Sequence, residues 1–161
     1  RLREGLYVGM DVITGFPGEA QSDHDEGLER LKRLPWTRLH VFPYSERTGT
    51  PATKLPGKVL QHERILRARE LGALSLRRQE AWYEARVGHE TPVLFETPER
   101  TGRYLVGHAA NYARVLVPLA ELGGEDPAGF RNQTREVRLT STVTDVPSQE
   151  VSALAEFPST R

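Results

Sequence analysis

The sequence predicts an α/β segment followed by an all-β domain, and three observations carry that reading. Residues 9–44 hold a strand-like run, a helix-like run and a second strand-like run. A long arginine-rich helical stretch follows, from about Lys58 to Ala85. At Val87-Gly88 the texture turns into short β runs separated by glycine and proline. Strand, helix and strand at that spacing make a βαβ unit, so its strands should be parallel and its crossover right-handed. Short strands with glycine-rich turns over about 60 residues predict a small antiparallel OB-like barrel, since closure removes edges. The expected divisions are 1–86, 87–145, and 146–161 as a tail or last strand.

Composition bounds what such a chain can do. With 161 residues it can bury a core as one domain or two small ones. It has no cysteine, which excludes disulfides and thiolate metal sites within these residues. No apolar run approaches the roughly 20 residues that span a bilayer, and no signal peptide is visible, so a cytoplasmic protein without a membrane partner is expected. Because it starts at Arg1 inside a charged stretch, it is expected to be a piece of a longer protein. The net charge of +0 hides an asymmetry: residues 1–87 carry 15 Lys+Arg against 12 Asp+Glu, and residues 88–161 carry 7 against 10. Arginine suits phosphate and base edges, but charge alone does not announce nucleic acid.

Gly9 to Glu19 organises the first part: a β-favouring run enters the turn Gly-Phe-Pro-Gly-Glu. Side chains alternate along a strand, so Asp11, Ile13 and Gly15 share one face and Met10, Val12 and Thr14 the other. A carboxylate, an aliphatic and a bare backbone suit the edge of a planar ligand. A buried parallel strand with tightly packed glycines fits equally well. Ser22 with Asp25 reads as a helix N-cap with an acidic residue three positions on. Leu28, Leu31 and Leu34 form the apolar stripe, and Pro35 stops the helix. In the second strand, Arg38 to Tyr44, alternation groups His40, Phe42 and Tyr44. The polar loop 45–52 carries Arg47 where α/β folds keep their sites, although a lone loop arginine is more often simply solvated.

In the long helix, Leu71, Leu74, Ala81 and Trp82 form the stripe, continued by Val59 and Leu66. Arg64, Arg67, Arg69, Arg77 and Arg78 are read as a solvated face laced with ion pairs to Glu63, Glu70, Glu80 and Glu84. Beyond it, strands are expected at 92–96, 103–106, 112–117 and 135–145. The turn 107–112 gathers His108, Asn111 and Tyr112 near Arg103, Tyr104 and Arg114. Aromatics interleaved with arginines are what stacking on single-stranded nucleic acid needs, while half-buried barrel tyrosines are the plain alternative.

The runs Asp-Val-Ile-Thr-Gly-Phe-Pro-Gly-Glu (11–19) and Leu-His-Val-Phe-Pro-Tyr-Ser-Glu-Arg-Thr-Gly-Thr-Pro-Ala (39–52) resemble the C-terminal half of the radical-SAM methylthiotransferases that modify tRNA. His-Val-Phe-Pro-Tyr-Ser looks most like the branch acting on threonylcarbamoyladenosine beside the anticodon; the isopentenyladenosine branch usually differs at His40 and Pro43. The arginine-rich helix and Glu96, Gly102, Asn111-Tyr112 and Val115 are similar to the end of that family's radical-SAM domain and its TRAM domain. The resemblance covers roughly residues 1–145 and departs at Ala20, where the family usually has Thr. It implies a partial radical-SAM (TIM-like) barrel remnant joined to a TRAM barrel. The parent would use S-adenosyl-L-methionine (SAM) and two 4Fe-4S clusters, held by cysteines in a missing N-terminal half. The resemblance therefore leaves no catalytic or metal-ligating residue in this segment. By position, the SAM pocket falls to Asp11, Ile13, Gly15, Phe42 and Tyr44. The tRNA contacts fall to Arg47, Arg103, Tyr104, Asn111, Tyr112 and Arg114. Rival readings are a non-catalytic RNA-binding module, a methylthiotransferase of the isopentenyladenosine-tRNA branch, and a sugar- or nucleotide-processing α/β enzyme with an appended β-domain.

Overall fold

The computed structural model of the protein describes residues 5–98 and 102–158. Its contacts divide into two units, one of Val8–Arg77 and one of Arg78 onward together with residues 5–7, so the division falls inside a helix rather than at Val87.

In the first unit, β1 (Gly9–Thr14) and β2 (Arg38–Pro43) pair in parallel, with Asp11 opposite His40 and Ile13 opposite Phe42. Helix α1 (Gln21–Arg33) makes the crossover between them. The strands alternate as their sequences predict. Met10, Val12, Leu39 and Val41 turn inward to a core of Trp36, Leu71 and Leu74, joined by Leu28 and Leu31. Trp36 fills the place expected of Leu34, which is exposed beyond the helix end, and its indole N–H donates to the Leu31 carbonyl at 2.8 Å. The N-cap of α1 is Ala20, not Ser22. Alanine has no capping oxygen, so only the reciprocal bond exists, from the Ala20 N–H to Asp23 Oδ2 at 2.9 Å.

Helix α2 (Gln61–Glu84) begins three residues later than expected. Its inward row in this unit is Arg64, Arg67, Leu71, Leu74 and Ser75, while Leu66 is exposed. Ser75 Oγ accepts the Leu39 N–H at 2.9 Å and donates to the Leu39 carbonyl, tying the helix to β2. Polar residues on this row break the apolar periodicity from which the stripe was read.

The second unit is a five-stranded barrel of β3 (Glu90–Pro98), β4 (Tyr104–Ala109), β5 (Arg114–Pro118), β6 (Thr134–Asp145) and β7 (Glu150–Glu156). Pairing runs β3-β4-β5-β7-β6 and returns to β3. Four seams are antiparallel, but β5 and β7 pair in parallel, which corrects the all-antiparallel expectation. Residues 150–156 are thus the strand that joins β5 to β6, so the barrel runs past residue 145. Val93, Phe95, Leu105, Val115, Val117, Val137 and Ala153 fill the interior. Gly107 in β4 is required bare: a Cβ there would stand 2.5 Å from Val93 Cγ1 and 2.7 Å from the Leu94 carbonyl oxygen. Tyr83, from the last turn of α2, is buried in this unit and its hydroxyl accepts the Arg114 N–H at 2.9 Å.

Candidate functional site

The outward face of the β1–β2 sheet holds the candidate ligand residues. Ile13 (59% exposed) and Phe42 (52% exposed) are register partners on neighbouring strands, with Asp11 and His40 two residues behind them. At the C-terminal strand ends a concavity of ≈ 440 Å³ is lined by Ile13, Phe42, Pro43, Tyr44, Arg47 and Thr50, among others. Arg47, expected among the RNA contacts, therefore joins the predicted cofactor residues here. Its loop is closed by Thr50, whose N–H and hydroxyl both donate to the Arg47 carbonyl.

Gly15 departs from the alternation. It lies past the end of β1, buried and at φ +73°, and the side its Cβ would take is occupied by Arg64. The left-handed conformation turns the chain towards α2, so Gly15 is not on the open face. Asp11 remains on that face, outside the concavity.

Two arginines read as solvated are in fact buried. Arg64 is 8% exposed; its Nε donates to the Val59 carbonyl at 2.8 Å, Nη1 to the Tyr44 carbonyl at 3.0 Å, and Nη2 to Glu46 Oε1 at 3.2 Å. Its guanidinium also stands 5.2 Å from the Tyr44 ring centroid. Arg67 is 7% exposed; its Nη1 donates to the Glu19 carbonyl at 3.0 Å and lies 3.1 Å from Glu19 Oε1. Glu19 Oε2 accepts the N–H groups of Gly15 and Phe16, and the buried His24 sits between Glu19 and Glu70. The signal for these two residues was available: continuing the Leu74 and Leu71 stripe backward by steps of three and four reaches Arg67 and Arg64.

Glu46 is held below the ordinary carboxylate range, chiefly by its hydrogen bond from Arg64 and also by the charge of Lys58. It stays ionised, and the Arg64 pair intact, at neutral pH.

On the barrel, the predicted RNA residues separate into two places. Arg103 is exposed and Tyr104 half-buried at the start of β4, with the guanidinium 5.8 Å from the Tyr104 ring. Tyr112 stands at the β4–β5 turn, 84% exposed and at φ +65°. Tyr104 pairs with Pro118 and His108 with Arg114, so the two tyrosines lie at opposite ends of the hairpin, the stretch from Tyr104 to His108 alone rising roughly 13 Å at 3.3 Å per residue. Asn111 shapes the turn: its amide nitrogen donates to the Gly5 carbonyl and its oxygen accepts the Ala113 N–H. Arg114 donates from Nη1 to the buried Ser152 hydroxyl at 3.0 Å, bracing β5 against β7. Beside Tyr112 a concavity of ≈ 520 Å³ is lined by Pro92, Leu94, Glu96, His108 and Thr134 among others. Exposed Leu94 and the His108–Glu96 pair at 3.3 Å border it. Sequence reasoning gathered Tyr112 and His108 but not Leu94, which faces outward from β3.

Among the described residues no group of three or more His, Cys, Asp or Glu could hold a metal ion, and no helix is long and apolar enough to cross a membrane. No family model matches the chain. Curated relatives do. A tRNA-2-methylthio-N(6)-dimethylallyladenosine synthase of Jannaschia sp. (strain CCS1) is 32% identical over 143 residues, covering 89% of this chain and 29% of the relative. A threonylcarbamoyladenosine tRNA methylthiotransferase of Bacillus subtilis (strain 168) is 36% identical over 129 residues, 78% of this chain and 28% of the relative. One of that type from Aquifex aeolicus (strain VF5) is 40% identical over 87 residues, 54% of this chain and 21% of the relative. The chain spans less than a third of the length of the curated relatives it matches. It is homologous, over the greater part of its own length, to tRNA methylthiotransferases of both substrate types.

Proposed function

We propose that the chain is the C-terminal segment of a radical-SAM tRNA methylthiotransferase. In this reading the β1–β2 unit is the end of the radical-SAM domain and the five-stranded unit is a TRAM domain. The observation that carries the reading is the 143-residue similarity, in which both the sheet and the barrel take part. The groove suits a SAM purine: Ile13 and Phe42 offer a paired apolar surface, and the adjoining loop supplies backbone polar groups and Arg47. When bound, SAM supplies the methyl group and, with an electron from a cluster, the radical. This chain has no cysteine and supplies no thiolate, so no step is assigned to its residues through a cluster. Its own residues bind and orient: Ile13, Phe42 and Tyr44 hold the cofactor, and the barrel holds tRNA.

His-Val-Phe-Pro-Tyr-Ser at 40–45 favours threonylcarbamoyladenosine as the target base. The test is nucleoside mass spectrometry of tRNA from a methylthiotransferase-deficient host carrying the full-length gene. Methylthio-threonylcarbamoyladenosine is expected. Methylthio-dimethylallyladenosine would select the other branch, and neither product would overturn the reading. The 161-residue chain alone should form no cluster on anaerobic reconstitution with iron and sulfide, read by visible absorption.

A further inference from the structure

We propose that Arg64 and Arg67 act together as positioning residues for the groove at the C-terminal ends of β1 and β2, an inference that rests on the reading of that groove as the SAM site. Both are nine-tenths or more buried on one side of α2, three residues apart and so about one turn along the same face. Each grips a different loop. Arg67 holds the loop after β1 through the Glu19 carbonyl and carboxylate, and the same carboxylate fastens the Gly15 and Phe16 N–H groups. Arg64 holds the loop after β2 through the Tyr44 carbonyl and Glu46.

The two grips meet at Tyr44. Its N–H donates to the Thr14 carbonyl at 2.8 Å, its ring takes the edge of Phe16 at a centroid distance of 5.1 Å, and Arg64 stands over the ring. The Thr14 hydroxyl in turn donates to the Arg64 main-chain carbonyl at 3.2 Å. Among the described residues the buried Tyr44 hydroxyl has no hydrogen-bond partner, so its own polar end does not set the ring's position. The wall formed by Tyr44, Ser45 and Arg47 therefore takes its place from the backbone grip of Arg64. A planar fork with donors aimed at two carbonyls and a carboxylate is a task for arginine; lysine keeps the charge but cannot hold three acceptors in that geometry.

Arg64→Lys and Arg67→Lys should loosen the groove while keeping its charge. A control, Leu74→Ala, removes core packing from the same helix without touching either loop. In the 161-residue chain, amide hydrogen exchange of residues 44–50 should quicken in Arg64→Lys and stay unchanged in Leu74→Ala. In the reconstituted full-length enzyme, SAM affinity by equilibrium dialysis should fall on the order of tenfold for Arg64→Lys, and by less for Leu74→Ala at comparable loss of melting temperature. Ile13→Asp, run alongside, tests the groove itself. If Ile13→Asp abolishes SAM binding while Arg64→Lys binds as wild type, the positioning role is overturned and the groove stands. If neither change alters affinity, the groove reading falls and the positioning role with it. Equal losses in Arg64→Lys and Leu74→Ala would likewise overturn it, because general destabilisation would then account for both.

Discussion

Arg64 occupies the space that a side chain on Gly15 would need. A Cβ built at Gly15 stands 2.9 Å from Arg64 Cβ, and the backbone there is at φ +73°. Alanine at this position meets both a strained backbone and a packed stem. Gly15→Ala should lower unfolding free energy by about 1–3 kcal/mol, read from the urea midpoint at constant slope. A neutral result would show that the loop and Arg64 part without cost.

Ala20 caps α1 with no side-chain oxygen, while the N–H groups of Asp23 and His24 point back to its carbonyl at 3.2 and 3.3 Å. Its extended backbone, φ −72° and ψ 166°, is the one that capping hydroxyl residues adopt. Ala20→Thr should stabilise the protein by about 0.5–1 kcal/mol in thermal or urea unfolding, the lower half of the usual capping range.

Glu46 has its pKa lowered in the folded protein by Arg64 first and Lys58 next. A carboxyl whose folded pKa lies below its unfolded one adds stability above the unfolded pKa and loses it as pH falls through the folded one. Glu46→Gln should therefore lower stability at neutral pH, and the gap between variant and wild type should narrow as pH falls below the ordinary glutamate pKa of about 4.3. A difference that does not change with pH would assign the effect to packing instead.

Tyr112 and Arg114, two residues apart in sequence, should behave as opposites. Tyr112 packs little and sits at positive φ, so Tyr112→Gly should leave stability unchanged or raise it, while tRNA affinity falls by about 1–3 kcal/mol if a base stacks there. Arg114→Met strands the buried Ser152 hydroxyl and should cost about 1–3 kcal/mol of stability. Exposed Arg103 is the better phosphate contact of the pair. Arg103→Gln should flatten the salt dependence of tRNA binding by about one unit in fluorescence anisotropy.

Local chemistry settled the β1 and β2 strands, their parallel pairing, the α1 crossover and the face that Ile13 shares with Asp11, because period-2 alternation and crossover handedness act over short sequence distances. It also marked the turn after β4, where the Asn111 side chain accepts the Ala113 N–H two residues on, whereas Gly107 lies inside β4 and answers to packing against Val93 and Leu94. What tertiary structure alone decided depends on partners far apart in the chain. Arg64 and Arg67 are identical in sequence to solvated helix arginines, and partners such as Glu19, Tyr44 and Glu46, brought from 18 to 48 residues away, make their burial tolerable. Arg114 keeps its charge but commits Nη1 to the Ser152 hydroxyl, 38 residues on, in a parallel β5–β7 seam that no local pattern encodes. Ile13 and Phe42 have the apolar character of core residues; they stand open because in this chain the sheet has two strands and its packing partners, Trp36, Leu71 and Leu74, all lie on the other side.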